Sequence, residues 1–194
     1  MSTSYRSNTF IPEMVHVCKT LAEKNEFYHS CSDEVGRLLA VLVGQVSDGK
    51  ILEIGTGLGV GSSWILSTIA PIVQFISIDN STEKIRLTRK TIKHNQVEFV
   101  EGDWKEVINR GPFKFVFVDA EVAKKDECEE LFNILDIGGM LLIDDFTPQE
   151  HWPEEWRGKP DLVREFWLNH PSLSTIEVNL TEKSSAIIGT RTTL

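Results

Sequence analysis

The chain has 194 residues, a formal net charge of −9 at pH 7 and 41% apolar residues. This length is enough for one hydrophobic core and too short for two ordinary domains, so we expect a single domain over residues 1–194. The negative charge argues against broad, sequence-independent binding to nucleic acid, because such binding needs clustered cations opposite the phosphates. It does not exclude a small contact with RNA.

The sequence carries no signal for membrane insertion or secretion. No apolar run reaches about 18 residues, the length that a membrane-spanning helix needs, and residues 1–6 are polar without a hydrophobic signal core. Cys18, Cys31 and Cys128 are widely spaced and include no Cys-x-x-Cys pair, so neither a disulfide framework nor a zinc site is indicated. We expect a cytoplasmic protein with reduced thiols and no membrane partner.

Strand and helix patterns alternate along the chain, as in a parallel sheet covered by helices on both faces. Two helices come first, and they form an N-terminal helical cap within residues 1–48; they are predicted at 12–23 and 33–46. Strands are then predicted at 51–54, 73–78, 97–100, 113–118 and 140–143, followed by a final pair at 174–180 and 185–190. Between the strands, helices are predicted at about 60–70, from the end of the second strand to about 95, and at about 123–135. A short helix is also predicted after Trp104. The alternation predicts an α/β fold with one mostly parallel sheet.

A glycine-rich turn follows the first predicted strand. Gly55, Gly57 and Gly59 allow positive φ angles and leave no Cβ atom between the main chain and a ligand. The N–H groups at the start of the next helix offer a site for a carboxylate or a phosphate. A dinucleotide-binding G-x-G-x-x-G fingerprint would need glycine or alanine where Val60 or Ser62 stands, so the spacing disfavours NAD.

Each parallel strand is predicted to end in an acidic residue. Sheets of this kind bind ligands at the carboxyl ends of their strands, and the acids there are Glu53, Asp79, Asp103, Asp119, Asp144 and Asp145. One shared site explains acidic residues at all five strand ends better than a chance distribution of surface carboxylates does. Asp79 suits the hydroxyls of a ribose, and Asp103 suits the amino group of an adenine. Trp104 offers an aromatic face to that ring, with packing in the core as the alternative.

Several motifs resemble those of a known family. The turn Glu53-x-Gly-x-Gly-x-Gly resembles motif I of the class I methyltransferases that use S-adenosylmethionine (SAM). Phe-Val-Phe-Val-Asp-Ala at 115–120 and Gly-Gly-Met-Leu-Leu-Ile-Asp-Asp at 138–145 resemble motifs of the cation-dependent catechol and caffeoyl-CoA type O-methyltransferases. Ser-Cys-Ser-Asp-x-x-Gly at 30–36 resembles the segment that covers the methionine end of SAM in those enzymes. The resemblance covers nearly the whole chain and implies their Rossmann-like, seven-stranded sheet, mostly parallel with a C-terminal antiparallel strand and helices on both faces.

The resemblance also implies ligands and their residues. SAM would be the cofactor and S-adenosylhomocysteine (SAH) the product. The residues implied for the cofactor are Cys31, Ser32, Glu53, Gly55, Gly57, Gly59, Asp79, Asn80, Asp103, Trp104 and Asp119. Mg²⁺ or another divalent cation would be held by Asp119, Asp144 and Asp145, of which Asp119 and Asp145 are the catalytic candidates.

The chain departs from the family pattern at two positions. Asp145 stands where the family has Asn, which keeps an oxygen ligand and adds a negative charge. Val122 stands where the family has the lysine that is proposed to deprotonate the acceptor, and Lys124 and Lys125 are displaced from it by a helical rotation. No general base is therefore carried over, and a helix or turn cap is the alternative for the acidic pair. His151 is a weak candidate base, because an isolated loop histidine seldom has a chemical role.

Residues 146–170 depart most from the compact family pattern. This segment contains three of the five tryptophans, and it directly follows the acidic pair, so we expect an acceptor-side insertion that walls the acceptor pocket. A satellite core or a homodimer contact is the alternative. The predicted activity is metal-assisted O-methylation of a small-molecule hydroxyl. Two further alternatives stay open, namely metal-independent methylation of another acceptor, such as a modified tRNA base, and SAM binding without catalysis.

Overall fold

The computed structural model describes residues 10–193, except for the side chains of Val122 and Lys124. Its strands are β1 (Lys50–Ile54), β2 (Gln74–Asp79), β3 (Val97–Glu101), β4 (Phe113–Val118), β5 (Leu135–Phe146), β6 (Leu173–Asn179) and β7 (Ser185–Arg191). They form one sheet in the order β3-β2-β1-β4-β5-β7-β6. Strands β1 to β5 pair in parallel, whereas β7 runs antiparallel to both β5 and β6. The predicted sheet, mostly parallel with a C-terminal antiparallel strand, is confirmed.

A helical layer covers each face of the sheet. The helices are α1 (Glu13–Lys24), α2 (Asp33–Val43), α3 (Val60–Leu66), α4 (Thr82–Thr91), α5 (Glu121–Lys125), α6 (Cys128–Asn133) and α7 (Leu162–Asn169). Three segments are 3-10 helical, Trp104–Arg110, Gln149–His151 and Glu154–Trp156. Consecutive strand residues point to opposite faces, so Ile51 packs in the core beneath α1 to α4 and Leu52 in the core beneath α5 to α7.

The predicted helix at 123–135 is wrong as a single element, because the structure divides it into α5 and α6. Glu127 lies between the two, with φ −129° and ψ 32°. Its carboxylate accepts a hydrogen bond from Trp104 Nε1 (2.5 Å) and lies 2.6 Å from Lys105 Nζ. These tertiary contacts hold Glu127 away from the helical path, and a local sequence pattern does not reveal them.

Other element ends also differ from the predicted ones. Strand β5 is longer than the predicted 140–143, because its pairing with β7 continues to Phe146, which is opposite Ser185. Three helices end earlier than predicted, α2 at Val43, α3 at Leu66 and α4 at Thr91.

The N-terminal helices hold their connecting turn against the glycine loop. Lys19 of α1 and Asp33 at the start of α2 form an ion pair of 2.5 Å. Between these helices, Phe27 lies so close to Gly57 that a Cβ atom on the glycine would be 3.1 Å from the phenyl ring. The cap therefore covers the loop that follows β1.

Residues 146–170 combine two short 3-10 turns with α7. Each turn follows a proline, Pro148 or Pro153, whose fixed φ and missing N–H suit the start of a helical turn. Asp161 caps α7 by accepting a hydrogen bond from Arg164 N (3.0 Å). Within residues 10–193, no helix has the length and apolar character needed to cross a bilayer.

Candidate active site

A cavity of about 310 Å³ opens at the carboxyl ends of the central parallel strands. Six of the predicted cofactor residues line it, Gly55, Asp79, Asn80, Asp103, Trp104 and Asp119. They come from the ends of β1, β2 and β4 and from the turn after β3, which is the edge of the sheet where a ligand is expected. The other predicted cofactor residues do not line the cavity. We call this space the cofactor cavity.

Backbone contacts shape the glycine loop beside the cofactor cavity. The Asp79 carboxylate accepts hydrogen bonds from Gly57 N and Ser81 N, each 2.9 Å long. Gly55 has φ +103°, and a Cβ atom there would lie 2.6 Å from the carbonyl oxygen of Asp119. Glycine is therefore required at Gly55 by the neighbouring strand end as well as by any ligand.

Glu53 lies beneath the glycine loop and has no exposed surface. Its carboxylate accepts hydrogen bonds from the hydroxyls of Ser62, in α3, and Ser77, in β2. Burial raises the pKa of Glu53 to about 8, against the lowering effect of these two hydrogen bonds. Glu53 thus joins three elements under the loop, and direct contact between it and the cofactor stays a prediction.

Gly59, Cys31 and Ser32 do not line the cofactor cavity. Gly59 has φ +84° and begins α3. Ser32 caps α2, since its hydroxyl accepts a hydrogen bond from Val35 N (3.2 Å). Burial raises the pKa of the Cys31 thiol well above its usual range, and the nearby carboxylates of Asp144 and Asp119 raise it further. Cys31 therefore lies close to the acidic residues, and its contact with the methionine end of SAM stays a prediction.

Trp104 belongs both to the core and to the cofactor cavity. The ring is 6% exposed, packs in the core beneath α5 to α7, and donates its Nε1–H to Glu127. It also forms part of the cavity wall. Asp103 caps the following 3-10 segment by accepting a hydrogen bond from Lys105 N (2.9 Å). Both predicted roles of Trp104 are compatible with this position, and its contact with adenine stays a prediction.

Asp119, Asp144 and Asp145 converge, with one oxygen of each within 4.8 Å of the others. We call this group the acidic triad. Consecutive strand residues normally point to opposite faces, which would separate Asp144 from Asp145. Here a β-bulge intervenes, since the regular pairing of β5 with β7 stops at Ile143 and resumes at Phe146. Asp145 lies in the bulge with φ +63°, so two adjacent carboxylates reach one place.

The donor set of the acidic triad suits a hard divalent cation. All three ligands are carboxylate oxygens, which Mg²⁺, Mn²⁺ and Ca²⁺ prefer. Three carboxylates this close repel one another unless a cation or bound protons compensate their charge. Asp119 is partly buried, Asp144 buried and Asp145 exposed, so a bound cation would have one side open to another molecule.

Lys84 and Glu121 line the cofactor cavity, and neither was predicted from the sequence as a site residue. Lys84 lines the cofactor cavity, and its Nζ lies 4.7 Å from the centre of the Phe27 ring. A second cavity of about 280 Å³, which we call the tryptophan cavity, is lined by Lys125, Trp152, Trp156, Lys159, Pro160, Asp161 and Leu162. Glu121 lines the cofactor cavity and pairs with Lys125 of the tryptophan cavity. This one ion pair thus links the walls of the two cavities.

Among the side chains that the structure describes, none is assigned as the general base. The side chain of Val122, at the position of the family lysine, lies outside the described residues. Lys125 is paired with Glu121. His151 is exposed and lines neither the cofactor cavity nor the tryptophan cavity.

Comparisons with known proteins identify related chains. A family model described as a methyltransferase domain matches residues 45–185. A Mycobacterium tuberculosis protein described as a probable O-methyltransferase is 31% identical over 119 residues, which cover 56% of this chain and 53% of the relative. The chain thus spans about half the length of the curated relatives that it matches.

Solved structures share the fold at low sequence identity. The O-methyltransferase from Bacillus cereus in complex with SAH gives a TM-score of 0.80 at 20% identity, over 97% of this chain and 96% of that one. A putative caffeoyl-CoA O-methyltransferase from Staphylococcus aureus gives a TM-score of 0.73 at 20% identity, over 93% of each chain. Both superpositions extend over nearly the full length of the fold.

Proposed function

The chain belongs to the methyltransferase domain family, and we propose that it is a SAM-dependent O-methyltransferase that acts on a small-molecule hydroxyl with the help of a divalent cation. The glycine spacing supports SAM rather than NAD. A full-length structural neighbour crystallised with SAH supports the same cofactor. The relative described as a probable O-methyltransferase supports oxygen as the accepting atom. We place the reaction in the cytoplasm, because Cys18, Cys31 and Cys128 are free thiols.

The observation that carries this proposal is the position of Asp119. This residue lines the cofactor cavity and also belongs to the acidic triad. A methyl donor in the cavity and an acceptor oxygen near the triad would therefore be neighbours. Such proximity is what an in-line transfer between two bound reactants requires.

Methyl transfer requires the protein to position the acceptor oxygen and the methyl group of SAM, and it requires no covalent bond to the protein. The acceptor oxygen attacks the methyl carbon of SAM as the bond from that carbon to sulfur breaks, and sulfur keeps the electron pair in SAH. Asp119, Asp144 and Asp145 would hold the cation, which lowers the pKa of an acceptor hydroxyl when it is bound. The hydroxyl proton is lost to solvent, since no base in the chain is assigned to it.

The tryptophan cavity supports an acceptor site on the same side. It lies along residues 146–170, directly after the acidic pair in the sequence. Trp156 is 49% exposed and Leu162 70% exposed, so apolar surface remains available for an acceptor there. The proposal therefore assigns the acceptor to this segment, and a homodimer contact becomes the alternative use of the same apolar surface.

Calorimetry with SAH tests the cofactor half of the proposal. We expect SAH to bind the wild-type protein and NAD not to bind. Asp79→Ala should weaken SAH binding, since it removes the predicted ribose contact and releases Gly57 N. Tight binding of NAD without binding of SAH would contradict the proposal.

Methyl-labelled SAM tests the reaction itself. The protein is incubated with labelled SAM and fractionated cell extract, with Mg²⁺ or with EDTA. We expect label in a small-molecule fraction only when Mg²⁺ is present. Label in RNA would favour a modified nucleic-acid base as the acceptor, and SAH binding without transfer to any fraction would favour a SAM-binding protein without catalysis.

A further inference from the structure

The bulge that brings Asp144 and Asp145 together has two anchored ends. At one end, Ile143 pairs with Val118 of β4 and with Ile187 of β7. At the other end, Phe146 pairs with Ser185 of β7, whose Oγ lies 3.3 Å from the carbonyl oxygen of Phe146. The geometry of the acidic triad therefore depends on what fixes the Phe146 end.

Arg164 of α7 contacts that end directly. One terminal nitrogen donates a hydrogen bond to the carbonyl oxygen of Thr147 (2.7 Å), the residue after Phe146. The guanidinium carbon also lies 4.9 Å from the centre of the Phe146 ring. The Arg164 side chain is only 7% exposed, so these contacts are shielded from water and held in one geometry.

The Arg164 guanidinium also connects the bulge with the antiparallel strands. Nε and a terminal nitrogen form a fork of two 2.9 Å hydrogen bonds to the carboxylate of Glu177, in β6. Glu177 in turn accepts a 2.5 Å hydrogen bond from the Ser185 hydroxyl. The network thus closes on itself, because Arg164 and Ser185 both bind Glu177, while Arg164 also binds Thr147 and Ser185 pairs with Phe146 in the sheet.

The same guanidinium also contacts Trp152, which forms part of the wall of the tryptophan cavity. It lies 5.5 Å from the centre of the Trp152 ring. Trp152 Nε1 donates to the carbonyl oxygen of Thr147 (2.9 Å), which Arg164 binds as well. One buried cation therefore contacts both the strand end after the acidic pair and the aromatic wall beside it.

Asp145 needs such external support. Its φ of +63° lies in the left-handed region, which non-glycine residues occupy only when the surrounding structure enforces it. Residues that support ligands in this way commonly set metal affinity without touching the metal.

We propose that Arg164 is a positioning residue of the acidic triad, which holds the bulge at Asp144 and Asp145 in its cation-binding geometry through the fork to Glu177 and the hydrogen bond to Thr147. The inference rests on the proposed cation site and adds Arg164 of α7 as a residue that supports this site without belonging to the acidic triad. Lysine cannot replace this arginine, because an ammonium lacks the planar fork that binds a carboxylate and a carbonyl group at once.

The test measures binding of Mn²⁺ to the SAH-bound protein by calorimetry, and binding of SAH alone. The test variant is Arg164→Lys, which keeps the positive charge next to Glu177 and Asp161. Arg191→Lys is the matched control, because Arg191 also donates to a backbone carbonyl, that of Leu135 (2.6 Å), and lies over the ring of Phe132. Arg191 stands at the other end of the β5–β7 pair.

We expect Arg164→Lys to weaken Mn²⁺ binding by roughly 10-fold or more, with SAH affinity changed less than about twofold. Arg191→Lys should leave both affinities unchanged. Glu177→Gln serves as a second variant in case Arg164→Lys does not fold. It removes the charge of the acceptor while keeping the shape, so it should weaken Mn²⁺ binding and spare SAH.

Two results would overturn the inference while leaving the proposed function intact. One is wild-type Mn²⁺ affinity in both Arg164→Lys and Glu177→Gln. The other is a parallel loss of SAH and Mn²⁺ affinity, which would indicate general loosening of the fold. Failure of the wild-type protein itself to bind Mn²⁺ would instead refute the cation site, and the inference with it.

Discussion

On the cofactor side of the site, main-chain groups make most of the decisive contacts, whereas on the acidic side buried side chains make them. The glycine loop is held by the hydrogen bond from Gly57 N to Asp79 and by the approach of Gly55 to the end of β4. The acidic triad is held by a bulge and by the network of Arg164 and Glu177. Backbone conformation therefore determines the geometry of the cofactor side, and tertiary packing determines the geometry of the acidic side.

This difference predicts different sensitivities to mutation. A methyl group added at Gly55 meets the backbone of Asp119, which cannot move aside as the end of a side chain can. On the acidic side, the positions of the three carboxylates depend on partners from other elements, so we expect even a conservative change at a distance to shift them. Four predictions test or sharpen this contrast.

The largest effect is expected at Asp145. Asp145→Ala removes an oxygen ligand, and loss of cation assistance should lower the transfer rate roughly 1,000-fold, since such assistance contributes several kcal/mol to the transition state. Asp145→Asn should stay within about tenfold of wild type, because asparagine keeps an oxygen ligand and tolerates the left-handed conformation. The measurement is the initial rate with the acceptor found in the labelling experiment.

The exposed Glu150 provides a control for this prediction, since Glu150→Ala removes a nearby carboxylate outside the acidic triad. Addition of EDTA should abolish the wild-type rate. Full activity in EDTA, or an Asp145→Ala protein equal to wild type, would show that positioning of SAM alone explains catalysis.

The second prediction concerns Gly55, on the cofactor side. Gly55→Ala places a Cβ atom against the backbone carbonyl of Asp119 at a φ of +103°, and we expect it to lower the free energy of unfolding by roughly 3 kcal/mol. Gly138→Ala is the matched control, because Gly138 has φ +76° with no neighbouring atom within 4 Å of the added group. It should cost only about 1 kcal/mol. Equal losses in urea denaturation would show that close approach is unimportant at Gly55.

The third prediction uses the buried acid beneath the loop. Burial raises the pKa of Glu53 from 4.5 to about 8 in the folded protein, so the folded state keeps a proton that the unfolded chain has lost. Below the unfolded pKa, both states hold the proton and Glu53 has no pH-dependent effect. Between the two pKa values, stability falls as pH rises, because folding then requires proton uptake.

Glu53→Gln cannot ionise and should lack this decline. Relative to wild type, the variant should gain roughly 3 kcal/mol of unfolding free energy between about pH 5 and about pH 8. Urea denaturation at a series of pH values measures the difference. A constant difference between the two proteins over this range would mean that Glu53 is ionised in the folded state.

Much of the fold and of the cofactor side could be predicted, because their determinants are local. The glycines follow one strand directly, Asp79 ends the next strand, and parallel strands deliver their ends to one edge. The bulge at Asp144 and Asp145 could not be predicted, since it depends on pairing with β7 about forty residues later. The role of Arg164 could not be predicted either, because its partners Glu177 and Thr147 lie in other elements. The break at Glu127 was missed for the same reason.

The smallest expected effect separates the two roles of Trp104, whose ring lies at the boundary between core and cavity. Trp104→Phe keeps an aromatic face in the cavity but removes the Nε1–H that Glu127 accepts, so it should lower stability and spare SAH affinity. Trp104→Ala removes the face as well and should weaken SAH binding by about 1 kcal/mol, the contribution of an aromatic contact beyond its area. Calorimetry with SAH and thermal unfolding of both variants measure the two effects separately. If Trp104→Ala loses stability while its SAH affinity stays at the wild-type value, the ring serves only the core, and the adenine must be held by Asp103 and Asn80 without it.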